Sequence, residues 1–256
     1  TTIKTLGALF LLLAVTVTSC KKSDDTAPEE TTPTPTPTQP AAPAPITTQP
    51  SDANGVCVAS KINVTTAIPS TTFVVTVTLG SATGSFYSTA GSTTLDDAGT
   101  VTSNDSTLAK QTNNAYIFTA KSATGINYTN SSRWNISGAG SIPAVSYTAN
   151  GFPSAPTVHS ITTISKGAGY TLNTSSVSSA DSLCYQITAG SKSIYKIVAA
   201  TQTSYTFPAS EMATLDATDY GYVTITAYKF NNTTVSGKKI YFINLNTSNK
   251  SVKVTN

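Results

Sequence analysis

The stretch Asp219-Tyr220-Gly221-Tyr222-Val223-Thr224-Ile225-Thr226-Ala227-Tyr228 indicates the fold class, because its apolar side chains recur with a period of two. Successive side chains of a β-strand point to opposite faces of the sheet, so Val223, Ile225 and Ala227 share one face. Tyr222 and Tyr228 lie on the other face, with two threonines between them. The pattern predicts a half-buried strand.

Short alternating runs of the same kind lie on both sides of this stretch, separated by Gly, Asn, Ser and Pro. In the first half they predict strands near 56–64, 72–79, 85–88, 99–103, 115–120, 132–137 and 143–148. In the second half they predict strands near 157–164, 168–174, 182–189, 193–199, 203–207, 220–229, 238–245 and 251–255. Many short strands at this spacing predict an all-β protein made of β-sandwiches.

Two local details accompany the strand pattern. Trp134 aligns with Ile136 in period two, which favours a core position for the single tryptophan of the chain. Residues 209–215 predict one helical turn after Pro208, and no other segment has a convincing helical pattern.

The alternating strand resembles the penultimate strand of fibronectin type III and related immunoglobulin-like domains. Its three apolar residues occupy the inward positions, and Leu183-Cys184-Tyr185-Gln186-Ile187 alternates in the same way. The corner tyrosine of such domains falls on Gly221 here, between Tyr220 and Tyr222. The resemblance implies an immunoglobulin-like β-sandwich in the second half.

Three segments of the first half also have a family resemblance: Gly99-Thr100-Val101, Asn113-Asn114-Ala115-Tyr116 and Trp134-Asn135-Ile136-Ser137-Gly138. They resemble, more loosely, strands and turns of uncharacterised Bacteroidota lipoproteins, and this resemblance implies no site. Gly151-Phe152-Pro153-Ser154-Ala155-Pro156 interrupts the strand pattern. We therefore predict two tandem immunoglobulin-like β-sandwich domains, at residues 54–152 and 153–256.

Residues 1–19 are typical of a lipoprotein signal peptide. Lys4 precedes an apolar run from Leu6 to Val17, which suits a signal h-region and is too short for a membrane-spanning helix. The run ends in Val17-Thr18-Ser19-Cys20, where small residues precede a cysteine. This motif predicts that Cys20 becomes the lipidated first residue of the mature chain.

The residues after this cysteine predict where the anchored protein is displayed. Lys21, Lys22, Asp24 and Asp25 resemble the surface-export signal of Bacteroidota lipoproteins, which implies an outer-membrane protein exposed on the cell surface. Residues 20–53 then form a tether rich in Pro and Thr. Its last 28 residues would span on the order of 80 Å in polyproline II, at about 3.1 Å per residue.

Composition argues against nucleic acid as a partner. Only 11% of the residues are charged and the formal net charge is +3. Lys21-Lys22 and Lys238-Lys239 are the largest basic groups, too small for a nucleic-acid surface.

The chain has three cysteines, of which lipidation uses Cys20. Cys57 and Cys184 could form a disulfide, because exported proteins retain disulfides. Alternatively, both are unpaired cysteines packed as small apolar residues.

No residue set has the pattern of a catalytic or metal site. His159 is the only histidine and has no ligand-spaced Cys, Asp or Glu nearby. Gly-x-Ser-x-Gly is absent, and Asp96-Asp97-Ala98-Gly99 lacks the spaced series of oxygen ligands that calcium requires. We predict a protein that is not an enzyme and needs no metal or cofactor.

The remaining candidate site is aromatic. Tyr220, Tyr222 and Tyr228 could form an exposed surface for a glycan or a protein ligand, or could pack against the first domain. We therefore expect a non-catalytic surface protein for adhesion or for glycan or protein binding. The alternative is a structural subunit resembling the lipoprotein pilins, which are processed after Arg or Lys; here Lys61 is the only basic residue between Lys22 and Lys110.

Overall fold

Two antiparallel strands of 18 residues, Thr218–Val235 and Lys238–Thr255, are the longest elements of the structure. The computed structural model describes residues 50–67 and 74–256. Its elements are β1 (Gly55–Ala67), β2 (Val74–Phe86), β3 (Val101–Ser103), β4 (Ser106–Thr107), β5 (Ala109–Lys110), β6 (Tyr116–Ile117), β7 (Ser131–Ile136), β8 (Val145–Asn150), β9 (Thr163–Ser165), β10 (Tyr170–Asn173), β11 (Ser182–Ala189), β12 (Lys192–Ala199), β13 (Ser204–Phe207), α1 (Ala209–Met212), β14 (Thr218–Val235) and β15 (Lys238–Thr255). The regular secondary structure of the described residues is therefore almost entirely β-strand, which confirms the all-β prediction.

The turn between the two long strands uses Ser236 and Gly237, whose φ angles are 50° and 74°. Positive φ at both positions is the geometry of a two-residue hairpin turn, which matches the twist of the strands.

These two strands belong to a nine-stranded sheet with the order β12-β11-β14-β15-β1-β2-β6-β5, and β9 also pairs with β15. One edge of β15 pairs antiparallel with β14, from Lys238 to Val254. The other edge has two parallel partners in succession: β1 lies beside residues 240–248 and β9 beside residues 253–255. The sheet thus joins segments from both halves of the chain.

The long sheet has two faces, which the register defines. Residues directly opposite each other on neighbouring strands share a face. We call the face that carries Ile225 and Phe242 the front face, and the face that carries Tyr228 and Ile243 the back face.

One end of the front face packs against a four-stranded sheet with the order β4-β3-β7-β8. Trp134 of this sheet is fully buried, and its ring centroid lies 6.2 Å from that of Phe242. We call this core the Trp134 cluster; its buried members are Cys57, Ala59, Ala82, Phe86, Ala98, Val101, Leu108, Tyr116, Ile126, Tyr128, Trp134, Ile136, Ile142, Val145, Ala149, Phe152, Ile240 and Phe242.

The other end of the front face, which includes β9, packs with helix α1 and the two-stranded sheet β10-β13. We call this core the Met212 cluster; its buried members are Ile164, Leu172, Leu183, Tyr185, Ile187, Ala189, Phe207, Met212, Leu215, Val223, Ile225, Ala227, Val252 and Val254. The apolar face predicted for residues 223–227 is confirmed by this cluster.

A row of buried asparagines separates the two clusters on the front face. Asn244 accepts a hydrogen bond from Ser132 Oγ at 2.6 Å and donates to Ala149 O at 3.0 Å. Asn246 donates to Pro153 O at 3.0 Å and accepts from Asn63 Nδ2 at 2.6 Å. Because buried polar groups need partners, these amides fix the segment around Pro153 across the sheet.

Several predicted elements are confirmed and others differ. Strand β11 has the predicted bounds, α1 lies within the predicted helical turn, and Trp134 is a core residue. The predicted strands 238–245 and 251–255 are one strand, β15, because the polar residues 246–250 pair with β14 throughout. The predicted strands 72–79 and 85–88 likewise merge into β2, which continues beside β1.

The predicted division into residues 54–152 and 153–256 stays a prediction, and the sheet crosses it. The described residues belong to one compact unit. Ile240 and Phe242 come from the predicted second domain, yet they are members of the Trp134 cluster.

Candidate binding surface

The back face carries the tyrosines that the sequence singles out. Tyr222 pairs with Thr188 and Tyr228 pairs with Ser182 on strand β11. Tyr222 is 7% exposed and Tyr228 is 3% exposed, and burial raises the pKa of the Tyr228 hydroxyl well above its ordinary value. The predicted alternation is therefore present, but these two side chains are not open to solvent.

Tyr228 belongs to a third apolar group, the Tyr228 cluster. Its buried members are Ala53, Val56, Cys184, Tyr228, Ile243 and Leu245, and Val58, Ile197, Phe230 and Tyr241 pack against it. All of these residues except Ala53 come from the long sheet itself.

Tyr220 differs from the other two predicted tyrosines because it is 39% exposed. It lies where the register between β14 and β15 shifts, between Thr218 and Gly221. A Cβ atom at Gly221 would lie 3.1 Å from Thr188 O, so the close backbone approach favours glycine there. These contacts account for a glycine at this position, which corresponds to the corner tyrosine of the fibronectin type III domains that the strand resembles in sequence.

Tyr195 is a second exposed aromatic residue, at 36%, and is not among the tyrosines predicted from the sequence. It lies on edge strand β12 opposite Gln186, on the back face. Its position on an alternating strand between Ile194 and Lys196 was the available signal. Among the described residues, Tyr195 and Tyr220 are the aromatic side chains with the largest exposure.

A shallow groove lies on the outer side of the four-stranded sheet, with a volume of about 330 Å³. Its lining consists of Thr100, Thr102, Asn135, Ile136, Ser137, Ala144, Val145 and Ser146. Ser146 Oγ donates to Asn135 Oδ1 at 2.8 Å, which orients the amide. The lining combines hydroxyl and amide groups with Ile136, Ala144 and Val145, and it has no charged or aromatic side chain.

The aspartates of the described residues serve structural contacts. Asp97 accepts hydrogen bonds from Tyr116 Oη at 2.7 Å, Gly99 N at 2.8 Å and Lys110 Nζ at 2.8 Å. These contacts, with Lys110 the largest, hold the pKa of Asp97 far below its usual range. The other ion pairs among the described residues are Asp105–Arg133, Asp181–Lys229, Asp52–Lys239 and Asp219–Lys253.

His159, the single histidine of the chain, has no neighbours among the described residues that would make it a metal ligand. His159 is exposed, and its Nε2 lies 3.1 Å from Ser175 Oγ. Among residues 50–67 and 74–256, no three His, Cys, Asp or Glu side chains are close enough to hold a metal ion.

Cys57 and Cys184 are both buried and have free thiols. Cys57 belongs to the Trp134 cluster on the front face, whereas Cys184 belongs to the Tyr228 cluster on the back face. Burial raises the pKa of both thiols, that of Cys184 to about 12. Because the thiolate is the reactive form, neither cysteine is activated as a nucleophile.

The predicted lipidation and export residues, Cys20, Lys21, Lys22, Asp24 and Asp25, lie outside the described residues. The described chain begins at the end of the predicted tether, where Asp52 binds Lys239 Nζ at 2.7 Å and Tyr241 Oη at 2.9 Å. Within the part of the chain that the structure describes, no helix has the length and apolar character needed to cross a membrane.

Comparison with known proteins adds no family: no family model matches the chain, and no curated protein matches it.

Proposed function

We propose that the chain is a lipid-anchored protein of the outer membrane, exposed on the cell surface, that uses tandem immunoglobulin-like β-sandwiches to bind a glycan or a protein. The anchor would be Cys20, and residues 20–53 would form the tether. The binding is non-catalytic and requires no cofactor or metal.

The observation that carries this proposal is the separation of the tether from the exposed aromatics. Asn54 follows the tether and binds Lys239 at one end of β15, with Asn54 N to Lys239 O at 2.7 Å. Tyr220 adjoins Gly221, which pairs with Val252 near the other end. At about 3.3 Å per residue, the 239–252 segment spans on the order of 40 Å. An anchored chain would thus hold Tyr220 away from the membrane.

The chemistry of the described surface favours binding over catalysis. Asp97 and Asp181 each bond both to a lysine and to a backbone N–H, as a structural carboxylate does. Tyr195 and Tyr220 offer ring faces that can stack on a sugar or pack against a protein, and each also has a hydroxyl that can form a hydrogen bond.

The anchor is tested by cell fractionation after expression of the Cys20→Ala variant. We expect the variant to leave the membrane fraction while the wild type stays there, because two or more acyl chains are needed for stable attachment. A variant that remains in the membrane fraction would contradict lipid anchoring at Cys20.

The binding surface is tested with Tyr220→Ala and Tyr195→Ala on a glycan array and in a cell-adhesion assay. We expect either change to weaken binding, since exposed tyrosines are common binding hot spots. Ile161→Ala is a matched control, because Ile161 is also highly exposed but lies outside the two tyrosine-bearing strands. Equal binding by all four proteins would exclude these tyrosines as the contact surface.

A further inference from the structure

The paired strands β1 and β15, whose shared ladder we call the seam, are arranged to resist a force that acts along them. The two strands are parallel, with nine paired positions from Gly55↔Ile240 to Asn63↔Ser248. The chain before β1 meets the sheet at the Lys239 end of β15, whereas the C-terminus, Asn256, follows the opposite end. A pull between the tether and the far end of the sheet therefore acts along the strands, in opposite directions on β1 and β15.

Side-chain contacts lie at both ends of this seam. At the Gly55 end of the seam, which we call the outer end, Asp52 binds Lys239 and Tyr241. Asn54 Oδ1 also accepts a hydrogen bond from Lys239 N there, at 3.2 Å. At the Asn63 end, which we call the inner end, Asn63 Nδ2 donates to Asn246 Oδ1 at 2.6 Å and to Thr247 O at 3.0 Å. These contacts join β1 and the residues just before it to β15, in addition to the backbone ladder.

The second edge of β1 is also paired, so the strand is not at the edge of the sheet. Strand β2 runs antiparallel beside it in an unbroken register from Gly55↔Phe86 to Ala67↔Val74. For β1 to slide along its own axis, the ladders on both edges must break. The alternative, peeling β1 away from one end, breaks the bonds of a ladder one after another.

We infer that the β1–β15 seam is a mechanical clamp, which resists tension between the tether and the distal end of the sheet. The proposed lipid anchor and surface contact would be the source of that tension, so the biological use of the clamp rests on the proposed function. The mechanical property itself belongs to the strand arrangement. Resistance to force depends on the rate of unfolding under load, which is set by how many interactions break together at the barrier.

Single-molecule force spectroscopy on the full chain tests the clamp with two pulling geometries. In the first, one handle is on the tether and the other on the C-terminus after Asn256, so the seam is loaded in shear. In the second, the tether handle is kept and the other handle is a short tag inserted between Ser236 and Gly237, beside the outer end of the seam. We expect the rupture force to be several-fold higher in the first geometry. Equal rupture forces, or a lower force in shear, would overturn the inference.

A pair of variants tests the contribution of the inner contact. Asn63→Ala removes the hydrogen bonds to Asn246 and Thr247 and should lower the rupture force in shear. Thr65→Ala is the matched control, because Thr65 is exposed on the same strand, beyond the last pair with β15, and its Oγ1 lies 3.1 Å from Thr76 Oγ1 on β2. A rupture force that falls equally in both variants would contradict a role for the seam. Chemical denaturation of each variant in solution gives its free energy of unfolding, which distinguishes a loss of mechanical resistance from a general loss of stability. Fractionation of Cys20→Ala tests the proposed anchor independently of the clamp.

Discussion

The Trp134 and Met212 clusters occupy the same face of one sheet but are assembled differently. The Met212 cluster takes all its buried members from residues 164–254, with only two aromatic residues, Tyr185 and Phe207. The Trp134 cluster has six buried aromatic residues and needs Ile240 and Phe242, which lie far from its other members in sequence. The Met212 cluster is therefore complete within the second half of the chain, whereas the Trp134 cluster depends on both halves.

The largest expected effect concerns the isolated first half. A fragment of residues 54–152 lacks Phe242 and the β15 partner of β1, so we expect it not to fold. Trp134 fluorescence and circular dichroism measure this directly, because the single tryptophan is buried in the affected cluster. A folded fragment with a buried tryptophan would instead support two independent domains.

Within the full chain, Phe242→Ala should destabilise the protein by about 3–5 kcal/mol, the usual cost of removing a large buried aromatic side chain. Phe242 is fully buried and stacks on Tyr147, with ring centroids 4.5 Å apart. Chemical denaturation followed by Trp134 fluorescence gives the free energy of unfolding. Tyr241→Ala, one residue away on the back face, is the control and should cost less, because Tyr241 is only partly buried. Similar losses would mean that the Trp134 cluster does not depend on β15.

Asn244→Ala should cost about 1–3 kcal/mol, because it leaves buried partners without a hydrogen bond. Ser132 Oγ and Ala149 O would both lose the bonds that Asn244 makes. Asn232→Ala on exposed strand surface is the control and should change the free energy of unfolding by less than about 0.5 kcal/mol. If the two asparagine variants are equally stable, the buried hydrogen bonds of Asn244 do not stabilise the packing between the two clusters.

The smallest expected effect is a pH dependence at Asp97, beside the Trp134 cluster. Its pKa is lowered in the folded state from an ordinary value of 3.8, mainly by Lys110 and then by Tyr116 and Gly99. The unfolded chain therefore binds the proton more readily, so the stabilisation is present above about pH 4 and is lost as the pH falls toward the folded pKa.

We expect the stability difference between wild type and Asp97→Asn to shrink as the pH falls from about 6 to about 3. Urea denaturation at a series of pH values measures this difference. Thr107→Ala, an exposed change without a titrating group, should show the same difference from wild type across the range. A pH-independent difference for Asp97→Asn would show that the pKa of Asp97 is not lowered in the folded state.

Sequence periodicity predicted the faces of individual strands more successfully than the extent of those strands. Val223 and Ile225 lie in a core as predicted, because a period of two assigns residues to faces without any knowledge of neighbours. Residues 246–250, Asn-Thr-Ser-Asn-Lys, have the composition of a turn and were predicted to interrupt a strand. They remain in β15 because Asn246 finds partners on β1 and at Pro153, which local sequence does not reveal.

The candidate site was predicted only in part, for a related reason. Alternation placed Tyr222 and Tyr228 on the face opposite the core, but it contains no information on whether that face is accessible. Both residues are buried, whereas Tyr220 is exposed at a register shift and Tyr195 lies on an edge strand. Exposure depends on what lies around a strand, which periodicity within that strand does not encode.

The sequence by itself determined the β class, the inward residues of strands such as β7 and β14, and the prediction of a lipid anchor at Cys20. These follow from short-range patterns: alternation, turn residues and a small-residue motif before a cysteine. Only the tertiary structure decided that β15 is shared by two cores, that β1 pairs parallel with it, and that Asn63, Asn244 and Asn246 are buried. Those features depend on hydrogen bonds between residues separated by up to about 190 positions, and such pairings are selected by the packing of the whole chain rather than by local preference.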